Sequence, residues 1–170
     1  KECTSLTQIT IPPSVTSIGQ NAFLGCSSLS QISIASSLTE ISEGTFSGCI
    51  MLSNITIPST VESIGNYAFS GCSSLTQIII PSSVRSIGEG SFFFCALLEK
   101  VTIPLSVAII GEAAFEKCTG LKKIKIPPSV TEMKDNVFKG CTSLTDVSIP
   151  SSFRQIRKLG IRKSVHVVRI

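Results

Sequence analysis

Residues 49–71 read CIMLSNITIPSTVESIGNYAFSG, and residues 72–94 repeat the same pattern as CSSLTQIIIPSSVRSIGEGSFFF. Aligning the two segments pairs Cys49 with Cys72 and brings their Leu, Ile, Pro and Phe residues into the same places. A fixed period of 20 to 50 residues is the signature of a repeat architecture, in which each unit stacks on its neighbours. We therefore expect the 23-residue interval to recur along the chain.

The interval of 23 separates every pair of successive cysteines, and the series accounts for all seven cysteines of the chain. Other apolar residues recur in step: Leu three residues after each Cys, Ile or Val six after, and Ile eight after. We assign seven units to residues 1–156 and a degenerate C-terminal repeat or cap strand to residues 157–170. The units begin near Cys3, Cys26, Cys49, Cys72, Cys95, Cys118 and Cys141.

Each unit divides into three predicted segments. Two Ile residues spaced by two point to the same side of an extended strand, which the following Pro ends. The Val-x-x-Ile segment predicts a second short strand, and a Gly column (Gly19, Gly65, Gly88, Gly111) predicts a sharp bend. The segment around each Phe is too short for an α-helix and predicts a single helical or 3₁₀ turn. In the last repeat we expect Val167 in the Leu column and Ile170 in the first Ile column.

One unit alone cannot cover its apolar side chains or pair its strand, so stability is expected to come from neighbouring units. The consensus C-x-x-L-x-x-I-x-I-P-x-S-V-x-x-I-G-x-x-A-F-x-G resembles the BspA-type leucine-rich repeat over residues 3–156. The resemblance implies a repeat solenoid, a horseshoe or right-handed coil. One face would carry a parallel β-sheet, and the other short strands, 3₁₀ or single helical turns.

The same resemblance implies a non-enzymatic protein-interaction module. It implies adhesion or host-protein binding at the cell surface or after secretion, with a host surface or matrix protein as the partner. It carries over no catalytic residues. Within the sequence itself, the exposed sheet face is the first candidate binding surface, because solenoids commonly bind partners along such extended faces. The alternative is that these residues only solubilise the strands. They are Gln8, Gln31, Asn54, Gln77, Lys100, Lys123, Thr10, Thr56, Ile79, Thr102 and Lys125.

A second candidate surface comes from apolar residues in columns that are polar elsewhere. A contiguous exposed patch of this kind would mark a protein contact, including self-association. The alternative is local repacking, with Phe93 or Phe94 folded inward. The set is Ile50, Met51, Phe93, Phe94, Leu97, Leu105 and Ile109.

A third candidate is the basic C-terminal segment. Residues 1–85 carry a net charge of −2 and residues 86–170 a net charge of +6. This segment could bind a polyanion, or it could act as a charged cap that blocks edge-to-edge pairing at the open end of the stack. We favour the cap. The basic residues are Arg154, Arg157, Lys158, Arg162, Lys163 and Arg169.

The cysteine column has three possible roles. Stacked units would place successive Cα atoms about 5 Å apart, within disulfide range. Seven is an odd number, however, and the C-x-x-C pairs of zinc sites are absent. We favour a buried column of thiols over disulfides or a metal site.

Motifs for catalysis or cofactor binding are absent. The chain has a single His, His166, and lacks a P-loop, G-x-S-x-G or H-E-x-x-H motif. We expect no enzymatic activity, no metal and no cofactor. The longest apolar run is seven residues, 92–98, whereas a membrane-spanning helix needs about 20.

Overall fold

The computed structural model describes residues 2–35 and 37–170, which form a solenoid of seven coils that begin at the seven cysteines. Coils 2, 4, 5 and 6 each contribute one strand to each of two faces. Strands of the first face are β1 (Gln8–Ile11), β2 (Gln31–Ile34), β5 (Gln77–Ile79), β7 (Lys100–Thr102), β9 (Lys123–Lys125), β11 (Asp146–Ile149) and β12 (His166–Arg169). Strands of the second face are β3 (Glu40–Ile41), β4 (Ser63–Ile64), β6 (Ser86–Ile87), β8 (Ile109–Ile110) and β10 (Glu132–Met133).

All strand pairs are parallel, and their register shows why the repeat length matters. Gln8 pairs with Gln31 on the first face and Ser63 with Ser86 on the second, each an offset of one repeat. The second face forms one continuous ladder of five strands. The first face is divided into three ladders, β1–β2, β5–β7 and β9–β11–β12. Residues 54–57 follow the strand pattern of the sequence but form no ladder, so the third coil interrupts this face.

The core consists of identical side chains stacked from coil to coil. Successive Phe rings lie 5.3–6.1 Å apart between centroids and within 16° of parallel, an offset-stacked arrangement. The Leu, Val and second Ile columns pack beside the rings. The stack confirms the predicted repeat solenoid. The Phe column comprises Phe23, Phe46, Phe69, Phe92, Phe115 and Phe138.

The corner around each Phe is a series of tight turns. Its backbone N–H groups donate alternately to a carbonyl of the next coil and to a carbonyl of the same coil. The N–H groups of Asn21, Phe23 and Gly25 donate to carbonyls of the next coil, at 2.8–2.9 Å. The intervening N–H groups of Ala22 and Leu24 donate within their own coil. Among the described residues, the only helical segment is a 3₁₀ helix, Ile156–Leu159, in the last coil.

Left-handed backbone conformations explain why no helix continues through these corners. Two columns have φ between 53° and 75°, and a left-handed residue ends a helical turn. Glycine adopts this conformation without strain, yet several of these positions carry larger residues. The first column is Asn21, Gly44, Tyr67, Gly90, Ala113 and Asn136, and the second is Glu2, Gly25, Gly48, Gly71, Phe94, Lys117 and Gly140.

The predicted bend glycines have a different role from the one we expected. None of Gly19, Gly65, Gly88 and Gly111 has a φ in the left-handed region. Instead, adjacent coils approach closely at three of them. A Cβ on Gly88 would lie 2.6 Å from the carbonyl carbon of Gly65, and one on Gly65 would lie 2.8 Å from the nitrogen of Glu43. Gly65, Gly88 and Gly111 are therefore required because they lack a side chain, and not because of their backbone freedom.

Gly111→Ala is expected to lower the free energy of unfolding by about 1–3 kcal/mol, because overpacking forces the backbones apart. The added Cβ would lie 2.5 Å from the nitrogen of Glu89. Gly19→Ala is the matched control, since no atom lies within 4 Å of its added Cβ. Urea denaturation followed by circular dichroism measures both. Equal losses in the two variants would contradict the close-approach explanation.

The last coil is shorter than the others, and this corrects the predicted register. Val147 pairs with Val167, an offset of 20 residues in place of 23. Val167 therefore occupies the first Ile column and not the Leu column, while Ile170 lies beyond the strand. The 3₁₀ helix takes a tighter path through this coil and buries Leu159. The structure places a strand, β12, in this segment, and the predicted alignment of the segment was wrong by three residues.

Candidate functional site

The outer side of the first face presents two exposed columns that the sequence predicted. The polar and apolar residues of both columns are exposed in coils 1 to 6. All lie on strands except Asn54 and Thr56, which belong to the interrupted third coil. A groove of about 560 Å³ over β1 and β2 is lined by amide and hydroxyl side chains, including Gln8, Gln31 and Asn54. Coils 1 to 3 thus offer a neutral hydrogen-bonding surface.

Two aliphatic side chains stand out on this face. Ile79 is 72% exposed and Leu105 is 73% exposed, more than any other large apolar residue described. Ile79 pairs across the ladder with Thr102, and Leu105 lines a groove of about 380 Å³ with Thr102 and Lys125. Ile79 also lines a groove of about 280 Å³ that includes Ile57. These contacts bring the two apolar side chains to the same region around β5 and β7.

Charge enters the same face in coils 5 to 7. Lys123 forms an ion pair with Asp146 at 3.3 Å, and His166 lies 3.4 Å from the other oxygen of that carboxylate. A hydrogen bond from the Thr145 hydroxyl, followed by one from Lys123, lowers the pKa of Asp146. Within the described part of the chain, Lys100 and Lys125 form no ion pair. The apolar pair is therefore flanked by two uncompensated ammonium groups.

The cysteine column is a buried ladder of thiols. Residues Cys26, Cys49, Cys72, Cys95, Cys118 and Cys141 are buried and unbridged. Five of them donate a hydrogen bond to the carbonyl of the Phe that lies 26 residues earlier in the chain, with Sγ···O distances of 3.1–3.3 Å. Cys3 is exposed, which corrects the expectation that the whole column is buried. A cysteine is buried here only where another coil covers it.

Burial suppresses ionisation of five of these thiols. It raises the pKa of Cys49 and of Cys141 to about 12, and the pKa of Cys72, Cys95 and Cys118 well above the ordinary range. A protonated, buried thiol is a poor nucleophile. In residues 2–35 and 37–170, no group of three or more His, Cys, Asp or Glu side chains is placed to hold a metal ion. The column therefore serves packing and hydrogen bonding. The sequence did not reveal the hydrogen bond from each thiol to a Phe carbonyl, because the direction of the thiol depends on the conformation of the turn that precedes the cysteine.

The predicted apolar set is divided among three places. Ile50, Met51 and Leu97 follow the buried cysteine of their coils, while Phe93 and Phe94 precede Cys95 at the same corner. Leu105 lies beside β7 on the first face, and Ile109 lies in β8 on the second. The structure does not assemble all seven residues into one patch. We name Ile50, Met51, Phe93, Phe94 and Leu97 the corner cluster.

Phe94 is the most strained member of the corner cluster. Its φ is 57°, a left-handed conformation that disfavours a bulky residue, and its column carries glycine at four of its seven positions. The side chain is 47% exposed. Its ring centroid lies 6.3 Å from that of Phe93, and the Lys117 ammonium lies 5.2 Å from the Phe93 ring centroid.

The six basic residues of the C-terminal segment are all exposed. The guanidinium groups of Arg162 and Arg169 donate hydrogen bonds to the carbonyls of Thr142 and Phe153. Arg154, Arg157 and Lys158 line a groove of about 460 Å³ beside the 3₁₀ helix. The segment therefore contains both groups that close the end of the stack and groups that face solvent.

The described residues contain no helix with the length and apolar composition that crossing a bilayer requires.

Comparison with known proteins agrees with the architecture. The family model described as BspA type leucine rich repeat region matches residues 1–107 and 90–164, with six copies. No curated protein matches the chain. The crystal structure of a leucine rich repeat protein from T. pallidum (TpLRR) superposes with a TM-score of 0.78 at 34% identity. That match covers 97% of this chain and 76% of the other.

Two further solved structures are similar. A leucine rich cell surface protein of Faecalibacterium prausnitzii A2-165 gives a TM-score of 0.64 at 25% identity, covering 98% of this chain and 60% of that one. A leucine-rich repeat protein of Bacteroides ovatus ATCC 8483 gives a TM-score of 0.52 at 30% identity, covering 99% and 52%. The chain thus spans little more than half the length of these two relatives.

Proposed function

This chain belongs to the BspA-type leucine-rich-repeat family, and from that premise we propose that it binds a partner protein through the outer side of its first face. Proteins of this family are generally non-enzymatic binding scaffolds and are typically associated with bacterial surfaces. Support for a surface role comes from the relative described as a leucine rich cell surface protein. We therefore propose adhesion to a host surface or matrix protein, at the cell surface or after secretion.

The observation that carries this proposal is the exposed pair Ile79 and Leu105. Apolar anchors surrounded by polar groups are typical of the energetic centre of a protein interface. The ladder beneath Ile79 fixes its position before any partner arrives, which reduces the entropy lost on binding. Lys100 and Lys125 beside the pair favour a partner whose complementary surface combines apolar and acidic residues.

The double substitution Ile79→Ser and Leu105→Ser is expected to weaken partner binding by about tenfold to a hundredfold, while the free energy of unfolding stays within about 1 kcal/mol. Both side chains are mostly exposed, so the core keeps its contacts. Binding is measured on a panel of immobilised extracellular-matrix proteins and on intact host cells. Unchanged binding to every ligand that the parent chain captures would contradict the proposed face.

A matched control tests the second candidate function, self-association through the corner cluster. This candidate is favoured by Phe94, which is exposed despite an unfavourable backbone conformation. Phe93→Ser with Leu97→Ser removes apolar side chains away from β5 and β7. Sedimentation and light scattering compare the mass of the parent with that of each variant. Loss of a dimer in this variant alone supports self-association, whereas loss of matrix binding in this variant alone moves the binding site to the corner.

A further inference from the structure

The basic residues of the last coil separate into two groups according to their contacts. Arg162 and Arg169 donate to backbone carbonyls, and Arg169 stands opposite the inward-facing Ile149 on the last strand. A charged side chain on a terminal strand discourages pairing with another sheet. Among the described residues, the side chains of Arg154, Arg157, Lys158 and Lys163 form neither a hydrogen bond nor an ion pair. Capping the stack accounts for the first group only.

Three of these four basic residues lie around a single groove. Arg154, Arg157 and Lys158, together with Gln155 and Ile156, line a volume of about 460 Å³. The 3₁₀ helix places Arg157 and Lys158 next to each other, and Arg154 precedes it. No carboxylate lines this groove. Asp135 lines the neighbouring groove, which it shares with Lys158. Three cations therefore face one open channel with no acidic group inside it.

We propose that this groove binds a linear sulfated polysaccharide. Guanidinium groups form paired hydrogen bonds with tetrahedral oxyanions, and a chain of sulfates can contact several cations in succession. The groove contains no aromatic ring on which a nucleic-acid base could stack. Its single apolar residue, Ile156, is half-buried and offers little for insertion into a membrane. The chemistry of the lining therefore favours a soluble, highly charged polyanion.

The test compares two triple variants that remove the same charge from different places. Variant one carries Arg154→Ser, Arg157→Ser and Lys158→Ser. The matched control carries Arg85→Ser, Lys117→Ser and Lys163→Ser, whose side chains are also exposed and form no ion pair in the described structure. Affinity for immobilised heparin is measured from 0.05 to 0.5 M NaCl, and thermal unfolding confirms that each variant folds.

The groove variant is expected to bind heparin at least tenfold more weakly at 0.15 M NaCl, and its salt dependence should flatten because about three counterions fewer are released. The control should change less than threefold. Equal losses of heparin affinity in both variants would overturn the proposal, because they would show that binding depends only on the net charge of the protein. Equal or tighter binding of single-stranded DNA or phosphatidylserine vesicles by the parent would also overturn it. The proposed protein-binding face plays no part in this measurement, so the two proposals fail independently.

Discussion

Replacing Phe92 by Ala is expected to lower the free energy of unfolding by about 3–5 kcal/mol. Its ring is fully buried and stacks on Phe69 and Phe115 at 5.4 and 5.3 Å. Removing it leaves a cavity between two coils and two rings without a stacking partner. Because coils are stable only through their neighbours, the damage falls in the middle of the array, where it separates the two halves. Urea denaturation followed by circular dichroism measures the change.

Phe23→Ala provides the comparison for that experiment. Phe23 is half-buried and has one described stacking partner, Phe46 at 5.5 Å. The same chemical change should therefore cost less than half as much at the first coil. Equal destabilisation at both positions would show that stacking between coils is not what the ring contributes.

Raising the pH above 9 is expected to unfold the protein steeply. The folded state holds the pKa of Cys49 and Cys141 at about 12, whereas an unfolded thiol ionises near 9.0. Below pH 9 both states are protonated and the stability is complete. Between pH 9 and 12 only the unfolded state releases protons, so each such thiol lowers the free energy of unfolding by about 1 kcal/mol per pH unit. Burial raises the pKa of three further thiols in the same direction.

Five thiols acting together would remove about 5 kcal/mol or more per pH unit, comparable to the whole stability of many domains. The control replaces Cys72, Cys95 and Cys118 by Ala, and the comparison is between slopes with pH and not absolute stabilities. This variant should lose stability with pH at less than half the parent rate. Thiol labelling at pH 8 gives a second readout, because Cys3 should react quickly and the six buried cysteines only on unfolding. An unchanged slope would assign alkaline unfolding to Lys or Tyr67 instead.

The repeat interval predicted the fold, the strand pairing and the inward columns, because in-register stacking follows directly from equal spacing of apolar residues. The positive sign of φ at the corner residues was not predictable from the repeat interval. Asn21, Tyr67 and Ala113 occupy a left-handed column that glycine fills elsewhere, and their identities do not reveal it. Close approach at Gly88 was likewise invisible, because it depends on the distance between coils.

The sequence predicted the two exposed columns of the candidate site, but it did not predict that Ile79 and Leu105 lie together at its centre. Ile79 was recognised on the exposed face from its position in the strand pattern. Leu105 was grouped with the corner residues, since sequence alone does not show that the turn after β7 returns it to the first face. The interruption at residues 54–57 also escaped prediction, because these residues match the strand consensus and differ only in how their neighbours pair. The local sequence pattern determines which way a side chain points, whereas strand pairing depends on the coils on both sides.

The amide groups at each corner donate alternately within a coil and to the next one, and this arrangement has a consequence for how such chains change over evolutionary time. A duplicated 23-residue segment would find matching donors, acceptors and ring positions on both sides. Lengthening by whole segments therefore creates no new type of contact, whereas gain or loss of one or two residues breaks the match at once. The distance between binding side chains on different coils would accordingly change in fixed increments of about 5 Å, the spacing of neighbouring strands.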